Sequence, residues 1–471
     1  MAAPKDFTVL EHSRASPPAG SVAEKSFTLN FLDMPWPLLH PIHQLCFYDY
    51  PHSDTSHFTQ TVVPKLKDSL SITLQHFFPF AGNLIVFPYG ADPNVVPPKP
   101  EIRYMEGDSV CLTICECTKD FNYLTGNYAR KADEYYPLVP KLGDIVKGSD
   151  YIKIPVLAIQ LTLFPNRGFC IGVTNHHSAA DGNARINFLK FWAKITKSGN
   201  GDSLSFLATE SLLPFCDKSL IKDPRCLDTT EWSHVAPSRR QECQPPHLSG
   251  NPDKLRITFI VTREQINRVK KSVLARRPTL EHLSTFTIAC GLVWVCSAKV
   301  CDALGEYKGM EDDREQFICV VDGRSRMDPP IPSTYFGNCL VPCIVLCKRN
   351  QLLEGEGLIN AVEFLGGAIR KRCNNKDGIF AGAESWGEQF MASPRTTLGV
   401  AGSPKFSIYD TDFGWGKPSK CEAVSIDYGG TMSLSDCKDS KEDVEIGLLL
   451  AKNQLDVFNS IFTEELKSWT C

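Results

Sequence analysis

The amino-acid sequence predicts an α/β protein of two domains, and three observations carry that reading. The chain has 471 residues, more than one hydrophobic core ordinarily organises. Short apolar runs of strand length alternate with segments whose apolar residues recur every three or four positions, before and after the chain's middle. Between them, residues 202–253 are polar and rich in breakers, with Pro224, Pro237, Pro245, Pro246, Gly250 and Pro252. The expected division is a first domain over 1–201, a crossover linker over 202–253 and a second domain over 254–471.

In the first half, residues 57–77 read as a helix, and 155–164 and 169–173 as buried strands. Ile186, Leu189 and Ala193, with Phe188, Trp192 and Ile195, then recur at helical spacing. The stretch from Thr174 to Gly182 therefore sits where a strand gives way to a helix. The second half resumes at Lys254, where Leu255, Ile257, Phe259 and Val261 alternate with Arg256 and Thr258 as a half-buried strand. A helix follows with Ile266, Val269 and Val273 on one face. Ser284 and Thr285 open an apolar helix through Trp294 as an N-cap pair, whose free amides could meet a phosphate or a carbonyl. Residues 444–451 read as a strand, and Leu455, Phe458, Phe462 and Leu466 as a closing helix.

Composition narrows the class. The net charge of -4 gives no basic footprint for nucleic acid and no polybasic arm for a membrane surface. The first twenty residues, with Pro4, Asp6, Glu11 and His12, lack the apolar core of a signal peptide, and no run reads as a membrane span. The nineteen cysteines are odd in number, contain no C-x-x-C and are scattered through apolar segments, which suits reduced, buried thiols. Cys111, Cys115 and Cys117 lack a further ligand at metal-site spacing, so no metal is expected there. A Gly-rich dinucleotide loop, a phosphate loop, H-E-x-x-H and G-x-S-x-G are all missing. These features predict a cytoplasmic protein without a permanent cofactor or metal.

The chemistry concentrates in Thr174-Asn175-His176-His177-Ser178-Ala179-Ala180-Asp181-Gly182. An imidazole near neutral pH is mostly a free base able to take a hydroxyl proton. Asp181 either orients that ring or turns into the protein onto a cation, for which Arg324, in Val321-Asp322-Gly323-Arg324, is the candidate. His176, His177 and Asp181 as ligands of a hydrolytic metal are the competing reading. A second landmark is Asp412-Phe413-Gly414-Trp415-Gly416-Lys417, whose glycines let backbone approach a ligand or a neighbouring strand. Arg185 stands one helical turn beyond Asp181 on the same face, where it would meet either a substrate carboxylate or a surface acid.

His177 to Asp181 and Asp412 to Gly416, in that order, resemble the paired HxxxD and DFGWG motifs of the plant BAHD acyl-CoA-dependent acyltransferases. Tyr335-Phe336-Gly337-Asn338-Cys339 resembles the YFGNC element of the subgroup that acylates sugars on anthocyanins and other flavonoid glycosides. Phe77 to Leu84 is similar to a fold-supporting family element, and the resemblance covers essentially the whole chain. It implies two chloramphenicol acetyltransferase-like domains, each a mixed sheet with helices, and an active-site channel between them. His177 would lie midway, reached by acyl-CoA from one mouth and by the acceptor alcohol from the other.

In that picture Asp181 supports the architecture, with Arg324 as its structural partner. Ser284, Thr285, Asp322, Gly414, Trp415 and Lys417 would lie near the donor, and Phe31, Trp36 and Tyr335 near the acceptor. The subgroup divides between malonyl and hydroxycinnamoyl donors, and Arg185 directs the expectation to malonyl-CoA. Gly402-Ser403-Pro404 stands where some relatives carry a tryptophan, which leaves the oxyanion donor open. The resemblance also implies a monomer that meets neither membrane nor nucleic acid. A relative that binds CoA or phenolic glycosides without turnover is the non-catalytic alternative.

Overall fold

The computed structural model describes residues 6–36, 40–88, 96–199, 212–223, 225–229, 232, 248, 253–394 and 396–469. Most of the expected linker lies outside the described residues.

Three sheets organise the chain. The first has six strands in the order Phe7–Ala15, Val110–Cys117, Leu157–Phe164, Gly168–Asn175, Ile42–Asp49 and Lys420–Ala423. Leu157–Phe164 and Gly168–Asn175 are buried at every residue, which is why the sequence shows them as continuous apolar runs. The second has seven, in the order Leu340–Lys348, Arg314–Asp322, Thr397–Ala401, Thr431–Asp436, Val444–Ala451, Lys254–Val261 and Arg130–Lys131. Both mix parallel and antiparallel pairs. A five-stranded sheet of Lys25–Thr28, Glu101–Tyr104, Asn83–Val86, Ile152–Pro155 and Val146–Lys147 flanks the first half.

Helices Val63–His76 and Gly182–Ser198 pack together, with the Trp192 indole fully buried and donating to Leu66 O at 3.1 Å. The expected helix over 57–77 starts at Thr55 and passes through a π-turn at Phe58–Val62. In the second half the apolar helix Thr285–Ala303 is flanked by Gly357–Cys373 and Lys452–Ser468. Gly291 permits one of those approaches, since a Cβ there would meet Val362 Cγ2 at 3.1 Å. Thr285–Ala303 has the length and hydropathy of a membrane span, a property the sequence reading did not assign to it, and 67 % of its apolar window is buried inside the protein.

The two halves exchange edge strands. Lys420–Ala423, from the second half, pairs with Ile42–Asp49 in the first sheet. Arg130–Lys131, from the first half, pairs with Lys254–Val261 in the second. Where the exchanged strands meet, the buried guanidiniums of Arg130 and Arg256 share Glu422 at 3.3 and 3.1 Å, and Arg256 also pairs with Asp427. This corrects one expectation. The polar face of Lys254–Val261 was read as half-exposed, yet Arg256 is 0 % exposed because that face lies in the seam and its charge is met there.

Candidate active site

The strand Gly168–Asn175 ends one residue before His176, and the helix Gly182–Ser198 begins one residue after Asp181. Asp181 is the N-cap. Its Oδ1 accepts the Ala184 N–H at 2.9 Å, while its Oδ2 meets Arg324 at 2.8 Å and the Cys339 N–H at 3.1 Å. Burial pushes this carboxyl up and the Arg324 charge opposes the shift. Both carboxylate oxygens are therefore occupied, and neither is directed at the His177 ring.

Arg324 gathers the surrounding loop. Its guanidinium donates to the carbonyls of Tyr335 and Gly337 at 3.1 and 3.2 Å and to Asp322 at 3.1 Å. The five residues from Tyr335 to Cys339 thus wrap the loop carrying His177, supplying carbonyls to Arg324 and an amide to Asp181. Gly182, at the helix start, lies under the Phe406 ring, where an added Cβ would come within 2.9 Å.

His177 is partly exposed. Its Nδ1 lies 3.1 Å from Asn338 Oδ1, and the Trp36 indole stacks on its face at 3.8 Å between centroids and 6° between planes. Burial lowers its pKa to about 4; its hydrogen bonds resist the shift, and the charges of His40 and Arg185 add to it. The ring is a neutral base across the physiological range.

Arg185 is 8 % exposed, and among the described residues its one side-chain partner is Gln44 Oε1 at 3.4 Å, while its Nε has none. Among the described residues no carboxylate pairs with it, so the surface-acid reading does not describe this arginine. Burial lowers its pKa to about 10, which leaves it charged at neutral pH. His43 lies close enough to feel that charge. It is bonded to Thr174 Oγ1 and Tyr428 OH at 2.9 and 3.0 Å, and burial lowers it to about 3. An uncompensated cation with neutral neighbours is poised for an anion.

Other expected contacts are placed differently. Phe31 and Tyr335, 3 % and 0 % exposed, pack with Leu32, Ile221 and Met327 instead of facing a channel. They back the turn that holds Trp36, the member of that group which does reach His177. Gly414 and Lys417 are engaged within their own loop, and the loop is seated on the first half through Asp412 and Trp415. Asp412 accepts the Gly414 and Gly416 N–H groups at 2.8 and 3.0 Å and pairs with Lys197 at 2.5 Å. Trp415 lies edge-on to Phe169 beneath Lys65, and Lys417 pairs with Asp410 at 2.8 Å. Lys197 sits near the far end of the helix that Asp181 caps, about 22 Å along its axis at 1.5 Å per residue.

Ser284 and Thr287 form a capping box, so the Ser284 hydroxyl is spent on the Thr287 N–H at 3.1 Å. Ser284 and Thr285 stay partly exposed. Asp322 serves Arg324, with half its side chain exposed. His176, His177 and Asp181 do not converge: among the described residues no group of three His, Cys, Asp or Glu is placed to hold a metal ion. Every described cysteine is a free thiol.

Two residues that join the hydrogen bonds around His177 were not singled out from sequence. Asn338 lies inside the YFGNC-like element, and Asp33 inside the segment that carries Phe31 and Trp36. Nothing in composition or spacing links them, because 161 residues of chain separate Asn338 from His177 and 305 separate Asn338 from Asp33.

The profile of the Transferase family matches residues 8–95 and 124–465. A malonyl-coenzyme A:anthocyanin 3-O-glucoside-6''-O-malonyltransferase of Dahlia pinnata is 46 % identical over 465 residues, covering 98 % of both chains. Phenolic glucoside malonyltransferase 1 of Nicotiana tabacum is 41 % identical, covering 91 % of each. Among solved structures, vinorine synthase superposes with a TM-score of 0.67 at 20 % identity over 98 % of both chains, a likeness of fold.

Proposed function

The chain belongs to the Transferase family, the BAHD acyl-CoA-dependent acyltransferases, and from that premise we propose that it moves a malonyl group from malonyl-CoA to a sugar hydroxyl of an anthocyanin or other phenolic glucoside. The observation that carries the donor assignment is the buried Arg185 guanidinium, near enough for its charge to lower the His177 pKa and with no carboxylate of its own among the described residues. A malonyl thioester brings the missing anion on the carbon next to the reacting carbonyl.

In this reading His177 is the general base. It accepts the sugar hydroxyl proton as the oxygen attacks the thioester carbonyl, forming the C–O bond of a tetrahedral oxyanion. Collapse breaks the C–S bond, and the imidazolium returns its proton to the departing CoA thiolate. No acyl-enzyme is required, because both substrates are held together and orientation supplies much of the rate. Asp181 and Arg324 keep the loop in place and take no proton. Acyl-CoA and the glucoside are co-substrates, with no permanent cofactor. We place the enzyme in the cytoplasm as a monomer, a reading supported by its free, mostly buried thiols. The division into domains 1–201 and 254–471 stands as part of the same proposal.

The test is a competition in which the purified protein meets an anthocyanin glucoside and equimolar malonyl-, acetyl- and p-coumaroyl-CoA, with products identified by mass spectrometry. Predominantly malonylated glucoside supports the reading. A coumaroylated product would retain His177 and discard the Arg185 pocket, and a binding signal without product would favour the non-catalytic relative.

A further inference from the structure

We infer that Asn338, itself oriented by Asp33, is a positioning residue that fixes which nitrogen of His177 acts as the base. The inference rests on His177 being the base and adds how its proton inventory is set.

The Asn338 amide nitrogen has two hydrogens and two acceptors, Asp33 Oδ1 at 2.9 Å and the His177 backbone carbonyl at 2.9 Å. Neither can donate: one is a carboxylate oxygen, the other a peptide carbonyl. Asp33 is 0 % exposed and pairs with the Lys218 ammonium at 2.5 Å. Flipping the amide would set its oxygen against both acceptors and forfeit both bonds, so the atom facing the imidazole is oxygen. That oxygen, 3.1 Å from Nδ1, accepts only from an N–H. Neutral His177 must then carry its proton on Nδ1, leaving the lone pair on Nε2.

The same turn sets the plane of the ring. Trp36 follows Asp33 by three residues, its indole N–H is anchored on Leu32 O at 2.6 Å, and its face covers one side of the imidazole. With Nδ1 tied and one face covered, Nε2 is the nitrogen left to approach a hydroxyl. When Nε2 takes the proton, the Nδ1–H to Asn338 bond persists and becomes charge-assisted, so the ring does not reorganise during turnover.

The experiment combines histidine-selective 15N NMR with kinetics. His177→Ala identifies the His177 signals, and in the wild-type protein near pH 7 they should report the proton on Nδ1. Asn338→Leu, close in shape but unable to accept, should lower kcat about 10- to 100-fold, with KM for both substrates within about 3-fold and an unchanged folded spectrum. A wild-type proton on Nε2, or Asn338→Leu turnover within twofold of wild type, overturns the inference. Should Asn338→Leu fail to fold, the wild-type spectrum still decides. An active His177→Ala would instead overturn the base assignment itself, so the two failures are distinct.

Discussion

Replacing Arg185 by methionine separates a substrate-binding charge from a structural one. The arginine is buried against a single neutral partner at 3.4 Å, so in the empty protein its desolvation is not compensated by an ion pair. Bound malonyl would supply a carboxylate for a charge-assisted, bidentate contact. Removing one partner of such a desolvated pair costs about 2–5 kcal/mol. At 1.4 kcal/mol per factor of ten, kcat/KM for malonyl-CoA should fall about 30- to 4,000-fold. Acetyl-CoA has no carboxylate to lose and should keep its rate within a few fold, so discrimination between the donors should collapse by nearly the whole factor. The melting temperature should move the other way, staying level or rising, because an unpaired buried cation has been replaced by a side chain suited to its surroundings. Steady-state kinetics with both donors and a thermal melt on the same preparation give all three numbers. Equal losses for malonyl- and acetyl-CoA, or a lowered melting temperature that accounts for the lost rate, would refute the carboxylate pocket.

His177→Ala should reduce kcat about 100- to 10,000-fold with little change in thermal stability, whereas Asp181→Ala should cost about 3–5 kcal/mol of stability by leaving the buried Arg324 with only the half-exposed Asp322, read in urea melts. With the His177 pKa lowered to about 4, kcat/KM should stay level from pH 8 to 6 and fall only on approaching 4. A titration midpoint near 6.5 would show the base to be solvated. The sign for stability follows from the same depressed value. The unfolded chain binds the proton first, so the His177 contribution is present above pH 6.5 and drains away as the pH falls toward 4, which melts at pH 7 and pH 5 would register. Glu422→Gln should destabilise the fold by about 3–5 kcal/mol while leaving kcat of the folded protein unchanged, since it strands Arg130, leaves Arg256 with Asp427 alone, and touches no group that contacts His177.

Local pattern made much of this molecule legible. The buried strand before His177, the helix after Asp181 and the closing Lys452–Ser468 helix all follow from the spacing of apolar residues, because burial on one face is a local property of the chain. The Asp181 to Arg324 pair was legible as a need: a carboxylate entering a core wants a cation, and the right arginine lay near a turn. Asn338 and Asp33 were not legible, because their role is set by three-dimensional approach and by the direction of an amide. Nor was the burial of Arg256, whose alternation with apolar neighbours reads as a solvent face until an exchanged strand covers it. Trp415 was legible only in part: a tryptophan between glycines suits a ligand wall and a packed wedge equally, and its neighbours Phe169 and Lys65 come from elsewhere in the chain.

The exchanged edge strands bear on how substrates can enter. Each half is stitched into the other's sheet, and the stitches are locked by guanidinium and carboxylate groups sealed from water. Swinging the halves apart like a jaw would tear two hydrogen-bonded ladders and bare four charges. A hinge between the halves is therefore closed to this protein, and any motion that admits a substrate must come from loops and side chains. Selectivity for the acceptor then rests on loops and side chains around His177, because the two halves cannot part to admit it.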